Sequence, residues 1–316
     1  EWHLIWSASS GMETILFCCL TLLLFYYLIE FRKPVAIGIF TGILIWVRPD
    51  GLTLIGPLLL ILFWKGIKKD INIGEIIKAF IPLVIIYGCY VLFNISISDN
   101  PFPNTFYAKQ FEYSVELEQA LPLRIMRMFL VPISGAGVFL IPGVVWNIYR
   151  AIRKRDPWVI ALFLWFIGYG SLYALKLPMI YQHGRYLMPL IPVYFVLGVI
   201  GSVNLAKSIN EKFSIRISYL KLVWFGCGIT TVVFGIMGQL ALSKDIRVIN
   251  QLLVQPARWI NENTEKSVIV AAHDIGALGY FGNRPLIDLA GLIQPEIIPI
   301  IRDEEEIKKY LLEKQA

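Results

Sequence analysis

A succession of apolar runs, most of them close to the length that crosses a bilayer, constrains this chain more than any other feature. A spanning helix needs about 20 apolar residues, each adding 1.5 Å of rise. Runs of this kind occupy residues 12–31, 35–47, 52–64, 76–93, 128–149, 158–175, 186–206 and 222–242, which predicts eight crossings. The second and third are short, so 34–65 also reads as a re-entrant hairpin; either reading leaves the sidedness of everything downstream unchanged. Charge follows the same division. Residues 1–242 carry 20 Lys/Arg and 12 Asp/Glu, 13% of that stretch, whereas 243–316 carry 9 and 11, or 27%. Soluble domains average roughly 25% charged residues. The sequence therefore predicts a transmembrane helical domain over 1–242 and a small α/β domain over 243–316. With 57% hydrophobic residues and a mean hydropathy of +0.64, a soluble enzyme is excluded.

Basic residues orient the spans, because short cytoplasmic loops collect Lys and Arg. Arg32, Lys33, Lys65, Lys68, Lys69, Lys78, Arg150, Arg153, Lys154, Arg155, Lys207, Lys212, Arg216 and Lys221 fall on one side, which is 14 residues. The other side of the membrane domain holds six: Arg48, Lys109, Arg124, Arg127, Lys176 and Arg185. The first side is read as cytoplasmic, which places the tail outside the plasma membrane. The net charge of +6 is then a property of membrane-flanking loops and needs no nucleic-acid partner. Cys18, Cys19, Cys89 and Cys227 all lie in apolar runs, so no disulfide or metal framework is read. The chain starts at Glu1 without a basic segment leading into a cleavable apolar stretch, and reads as lacking its true N-terminus. In the tail, helical spacing over 254–263, a strand over 267–272, a short helix over 275–281 and a second strand over 286–289 make the α/β pattern, closed by the polar run 303–314.

Four polar segments converge on the outer face. In 6–14, Ser10 and Glu13 have capping-box spacing before an apolar helix, and a helix cap is the favoured reading of Glu13. Arg48-Pro49-Asp50-Gly51 puts two charges in a turn between apolar helices. Such charges either face a cavity or pair with each other. Residues 100–109, with Asn104, Tyr107 and Lys109, offer amides and aromatic rings for a sugar and an ammonium for a phosphate; an interfacial aromatic belt is the competing reading. In 181–186, Arg185 offers a planar fork of donors suited to phosphate oxygens and His183 can hold a proton near neutral pH, against a reading in which Arg185 snorkels to head groups. In the tail, His273-Asp274 at a strand end is read as structural, with Asp274 as an N-cap. Asn94-Ile95-Ser96 is a weak glycosylation sequon.

Ser10-Gly11-Met12-Glu13-Thr14, Arg48-Pro49-Asp50-Gly51, Pro103-Asn104-Thr105-Phe106-Tyr107-Ala108-Lys109 and Gly184-Arg185-Tyr186-Leu187-Met188-Pro189, in this order, resemble the C-type (GT-C) membrane glycosyltransferases, nearest to the cell-envelope branch with arabinofuranosyl- and mannosyltransferase-like members. Asp274-Ile275-Gly276 and Ile287-Asp288-Leu289-Ala290-Gly291-Leu292 fit the same likeness. The resemblance implies a mainly α, GT-C-like polytopic enzyme with an extracytoplasmic α/β tail. Such an enzyme takes a sugar from a polyprenyl-phosphate donor and gives it to a glycan, lipid or protein acceptor. It also implies a catalytic carboxylate in the first outer loop, upstream of Glu1. Within the chain, Asp50 is the best carboxylate, and Arg185, His183, Arg48, Lys109, Asn104 and Tyr107 are the substrate-binding candidates. No cofactor is read, and dependence on a divalent metal stays open. A transporter or flippase for an anionic lipid-linked saccharide is the rival reading. It predicts cations at several depths, whereas here they crowd the outer face.

Overall fold

The structure is a computed structural model describing residues 1–30, 33–212 and 219–314. The end of the first expected span at residue 31, and Arg32 and Arg216 among the orienting cations, lie outside the described residues. The chain is mainly helical: α1 (Trp2–Ser9), α2 (Thr14–Glu30), α3 (Pro34–Val47), α4 (Ile55–Ile67), α5 (Ile73–Ser98), α6 (Asn104–Glu112), α7 (Leu121–Ile133), α8 (Ile141–Lys154), α9 (Pro157–Lys176), the one-turn α10 (Tyr181–Gly184), α11 (Leu190–Lys212), α12 (Tyr219–Ile249), α13 (Gln255–Asn263), α14 (Ile275–Ala277) and α15 (Glu304–Glu313). Two short strands, β1 (Val270–Ala272) and β2 (Leu286–Asp288), complete it. These elements form two compact units, Glu1–Tyr90 with Gln119–Gln239, and Val91–Glu118 with Leu240–Ala316.

Among the described residues six helical runs are long and apolar enough to cross a membrane: Pro49–Ile67, Ile73–Ser98, Gly135–Lys154, Pro157–Lys176, Leu190–Asn210 and Tyr219–Asn263. Such a set is compatible with a multi-pass membrane protein. Three of the eight expected crossings take a different form from a single long helix. The first expected span belongs to a pair, Trp2–Ser9 and Thr14–Ile29, that qualifies only jointly and is bent by 117°. The second, α3, has 14 residues and falls short. The run 128–149 is broken. Pro132 supplies no amide hydrogen, Ser134 turns extended and Gly135 adopts φ +66, so α7 stops at Ile133 and a 3-10 turn over Gly135–Leu140 leads into α8.

The first unit buries one face of each helix and leaves the other apolar. Phe17, Leu24 and Leu28 of α2, Leu44 and Ile45 of α3, Leu58 and Ile61 of α4 and Tyr169 of α9 are inside, while Ile77, Ile81, Val84 and Ile85 of α5 are exposed. In lipid that outer surface costs nothing, so helix association depends on close packing and polar contacts instead. α8 and α11 show both. A Cβ on Gly143 would meet the Gly198 carbonyl and the Ser202 hydroxyl, and one on Gly201 would meet the Gly143 carbonyl, so the two backbones lie in direct contact. Asn147 Nδ2 donates to the Leu197 carbonyl at 3.1 Å across the same seam.

The second unit includes a segment that the sequence reading assigns to the membrane domain, 91–118. Its helix α6 packs on the 3-10 turn Pro295–Ile300, with Ala108 and Ile297 both fully buried, and Arg302 Nη1 donates to Ser114 Oγ at 2.8 Å. The Asn94 sequon falls inside α5 with Asn94 buried, which closes it to a glycan. The tail forms the expected α/β pattern as a two-stranded parallel sheet, Val270 opposite Leu286 and Ala272 opposite Asp288. Asp288 is fully buried, and its carboxylate accepts from the amides of Ala290 (2.9 Å), Leu292 (2.5 Å) and Ile293 (2.8 Å). A buried carboxylate is tolerated when backbone donors replace its water. Arg284 gathers the carbonyls of Ile260, Asn261 and Thr264 at the end of α13, the first of which also accepts from the Thr264 amide and hydroxyl.

Candidate functional site

The site of the first unit begins with a proline. Proline disfavours helical backbone in the residue before it. Arg48 accordingly sits at φ −152, ψ 137, ending α3 and starting the 3-10 turn Pro49–Leu54 with Pro49 at its first position. Gly51 lets that turn fold back on α3, since a Cβ there would lie 2.6 Å from the Ile45 nitrogen. The result is that Arg48 and Asp50 both enter the helical interior, their side chains 5% and 16% exposed.

An arginine has five N–H donors, and every one on Arg48 is spent. Nε and Nη2 donate to Asp50 Oδ2 at 2.9 and 2.7 Å, Nη2 also to the Tyr173 hydroxyl at 3.4 Å, and Nη1 to Glu13 Oε1 at 3.3 Å and Thr14 Oγ1 at 3.4 Å. Asp50 Oδ2 takes two further bonds, from Tyr169 at 2.9 Å and Tyr173 at 2.7 Å. These tyrosines stand four apart on α9 and so share one helical face. The Tyr169 proton is also shared with the Tyr186 carbonyl at 3.0 Å.

Tyr186 joins this buried pair to Arg185. Its ring stacks on Tyr173 (centroids 5.5 Å apart), with the Arg48 guanidinium carbon 5.5 Å and the Arg185 guanidinium carbon 4.9 Å from its centroid. Arg185 also lies 5.7 Å from the Tyr181 ring centre. Cation–π contacts of this kind hold a guanidinium in place without neutralising it. Among the described residues Arg185 has no carboxylate partner. Nη2 donates to the Tyr186 hydroxyl at 3.0 Å, Nη1 meets only the weakly accepting Met12 Sδ at 3.3 Å, and the buried Nε donates to nothing. Three of its five donors are uncommitted. The preceding turn is strained: Gln182 and His183 adopt φ 50 and 58, left-handed values costly for residues with a Cβ, and the buried Gln182 Oε1 accepts no bond. The His183 ring lies edge-on to Trp2 and Trp6, each at 4.9 Å.

The sequence candidates thus separate. Arg48, Asp50 and Arg185 meet around Tyr186, with His183 two residues before Arg185. Asn104, Tyr107 and Lys109 lie on α6 of the second unit, where Asn104 Oδ1 is buried without a donor and the Lys109 ammonium lies 5.6 Å from the Tyr113 ring centre. In that unit Glu112 pairs with His273 at 3.2 Å, and Asp274, at the N-cap of α14, makes no capping bond. Among the described residues no three His, Cys, Asp or Glu side chains gather as a metal site.

Sequence reasoning assigned Glu13 to a helix cap, and the structure corrects this. Glu13 does stand at the backbone cap position, its carbonyl accepting from Phe17 N at 2.9 Å. The capping box does not form, because the Ser10 amide is taken by the Ser7 carbonyl and the Glu13 carboxylate is drawn to the buried Arg48 cation instead. Tyr169 and Tyr173 were missed as well, although their spacing in an apolar helix is a readable signal.

The fold and the site define a helical protein compatible with multi-pass membrane insertion, carrying a buried ion pair beside a guanidinium that has no counter-ion among the described residues. Residues 241–316 match a family model described as Domain of unknown function (DUF8728). Comparison with curated proteins and with solved structures returns no match.

Proposed function

We propose that this chain is a membrane glycosyltransferase that moves a sugar from a polyprenyl-phosphate carrier to a glycan, lipid or protein acceptor on the outer face of the cell membrane. The observation that carries the reading is Arg185, a guanidinium held between two aromatic rings with three uncommitted donors and no carboxylate partner. A planar fork in that state suits bidentate binding of a phosphate, whose charge grows as it leaves. The order of the four outer motifs adds to this reading. Arg48 has no donor left for a ligand, so its role here is to hold the site's frame with Asp50. His183 stands two residues before Arg185. The test is turnover of full chain in detergent with radiolabelled polyprenyl-phosphoryl mannose or arabinofuranose and a cell-envelope extract as acceptor. Transfer without a bilayer separates this reading from a flippase, which needs two compartments; absence of transfer with both donors overturns it.

A further inference from the structure

We propose that Trp2 and Trp6 of α1 position Arg185 for a phosphate by clamping the His183 ring, and that His183 acts by its shape rather than its proton; this rests on the phosphate role given to Arg185 above. The turn before Arg185 explains why a clamp is needed. Gln182 and His183 both adopt left-handed backbone, at φ 50 and 58, and Gly184 follows at φ 71. Glycine takes such values freely, whereas a residue with a Cβ resists them and keeps them only where its surroundings over-determine the conformation. Two backbone bonds close the turn, from the Gly184 amide to the Ile180 carbonyl at 2.8 Å and from the Arg185 amide to the Gln182 carbonyl at 3.3 Å. Gln182 Oε1 adds nothing to them, since it is buried and accepts no bond.

The surroundings hold the turn by the His183 ring. It stands edge-on to both indoles, with ring centres 4.9 Å from each and interplanar angles of 75° and 74°. Aromatic pairs favour this edge-to-face arrangement. Trp2 and Trp6 are four apart on α1 and so share one helical face. Each is anchored in turn. Trp6 is 5% exposed. Trp2 stacks on the His3 ring at 4.0 Å, while Glu1 Oε2 accepts from the His3 amide at 2.9 Å and lies 2.6 Å from His3 Nδ1. The clamp therefore runs from the start of α1 to the turn that delivers Arg185 between the Tyr181 and Tyr186 rings. An aromatic ring fills the space between two indoles without a proton to give or take, so phenylalanine should serve there in place of histidine.

The test measures binding of farnesyl phosphate and of farnesol to full chain in detergent, because the phosphate contact depends on where Arg185 points and the isoprenyl contact does not. Charge-assisted hydrogen bonds are worth about 10- to 150-fold, so wild type is expected to prefer the phosphate by roughly ten-fold or more, with Arg185→Ala setting the floor. His183→Ala should lose roughly ten-fold of that preference while farnesol affinity stays within about three-fold, and His183→Phe should restore it. His183→Gly, which accepts φ 58 without strain but has no ring, should fail as alanine does. Wild-type preference in His183→Ala or His183→Gly, a phenylalanine variant as poor as alanine, or an equal loss of both ligands overturns the clamp and leaves the phosphate role of Arg185 intact. If His183→Ala does not fold, Trp2→Ala decides: loss of the preference at unchanged farnesol affinity supports the clamp, and an unchanged preference overturns it. A wild type that binds farnesol and farnesyl phosphate equally overturns the phosphate role of Arg185 and the clamp together.

Discussion

Replacing Arg48 with methionine removes a cation from two carboxylates at once. Asp50 keeps only the hydroxyls of Tyr169 and Tyr173, and Glu13 loses its single polar contact. Breaking one side of a buried ion pair costs about 3–5 kcal/mol, mostly because the remaining charge stays in a poorly solvating interior. For a chain of this size that corresponds to a fall in Tm of roughly 5–10 °C. Removing both charges, with Arg48→Met and Asp50→Leu together, abolishes the uncompensated buried charge and leaves only the half-exposed Glu13, so the double variant is expected to be more stable than Arg48→Met alone. The four-corner cycle isolates this coupling. Cys18 is buried at 3% exposure, so in a background with Cys19, Cys89 and Cys227 replaced by serine a thiol-reactive fluorogenic dye reports unfolding in detergent through it. A single variant within about 1 °C of wild type, or a double variant whose loss is the sum of the two single losses, would refute the account of Arg48 as an internal counter-ion.

The other arginine should behave in the opposite way. Arg185→Lys keeps the charge and loses the fork, so turnover is expected to fall roughly 10- to 150-fold, the equivalent of charge-assisted bonds of about 1.5–3 kcal/mol, with Tm nearly unchanged; wild-type turnover at saturating donor returns Arg185 to a head-group anchor. Gly201→Leu drives a side chain into the Gly143 backbone and should abolish a monodisperse peak in size-exclusion chromatography, with Gly201→Ala intermediate; a normal profile for the leucine variant contradicts the packing of α8 on α11. Arg284→Ala takes this donor from the Asn261 and Thr264 carbonyls that end α13, a loss of about 1–3 kcal/mol, and should speed hydrogen exchange over 255–264; protection equal to wild type there removes the capping role.

What the sequence disclosed follows the range of the interactions concerned. Helix and strand positions in the tail were readable because hydrophobic periodicity is local, as was the tendency of Arg48 and Asp50, two residues apart, to pair. Arg185 stood out because its planar fork of donors, with His183 two residues before it at the start of an apolar span, suits phosphate oxygens. Glu13 was misread because its partner is 35 residues away and nothing local competes with the capping pattern. The break at Gly135 was hidden inside a run of apolar residues, where composition stays constant while the backbone changes direction. The association of 91–118 with the tail was out of reach for a similar reason: it depends on Ala108 and Ile297 being buried, 189 positions apart.

Arg48 and Arg185 carry two positive charges, Asp50 and Glu13 two negative ones, so the four side chains linked through Arg48 and the Tyr186 ring sum to zero. A balanced group of this kind projects little field beyond its own contacts, and at physiological ionic strength solvent-exposed charges are screened within about 8 Å. Long-range steering, which accelerates capture of ions from solution, is therefore absent from this cluster. A ligand would be recognised only on arrival, at the donors of Arg185. Such an arrangement suits delivery by two-dimensional diffusion within the membrane plane, where the bilayer confines the molecule to the right depth, and makes encounter insensitive to salt even though the final contact is ionic.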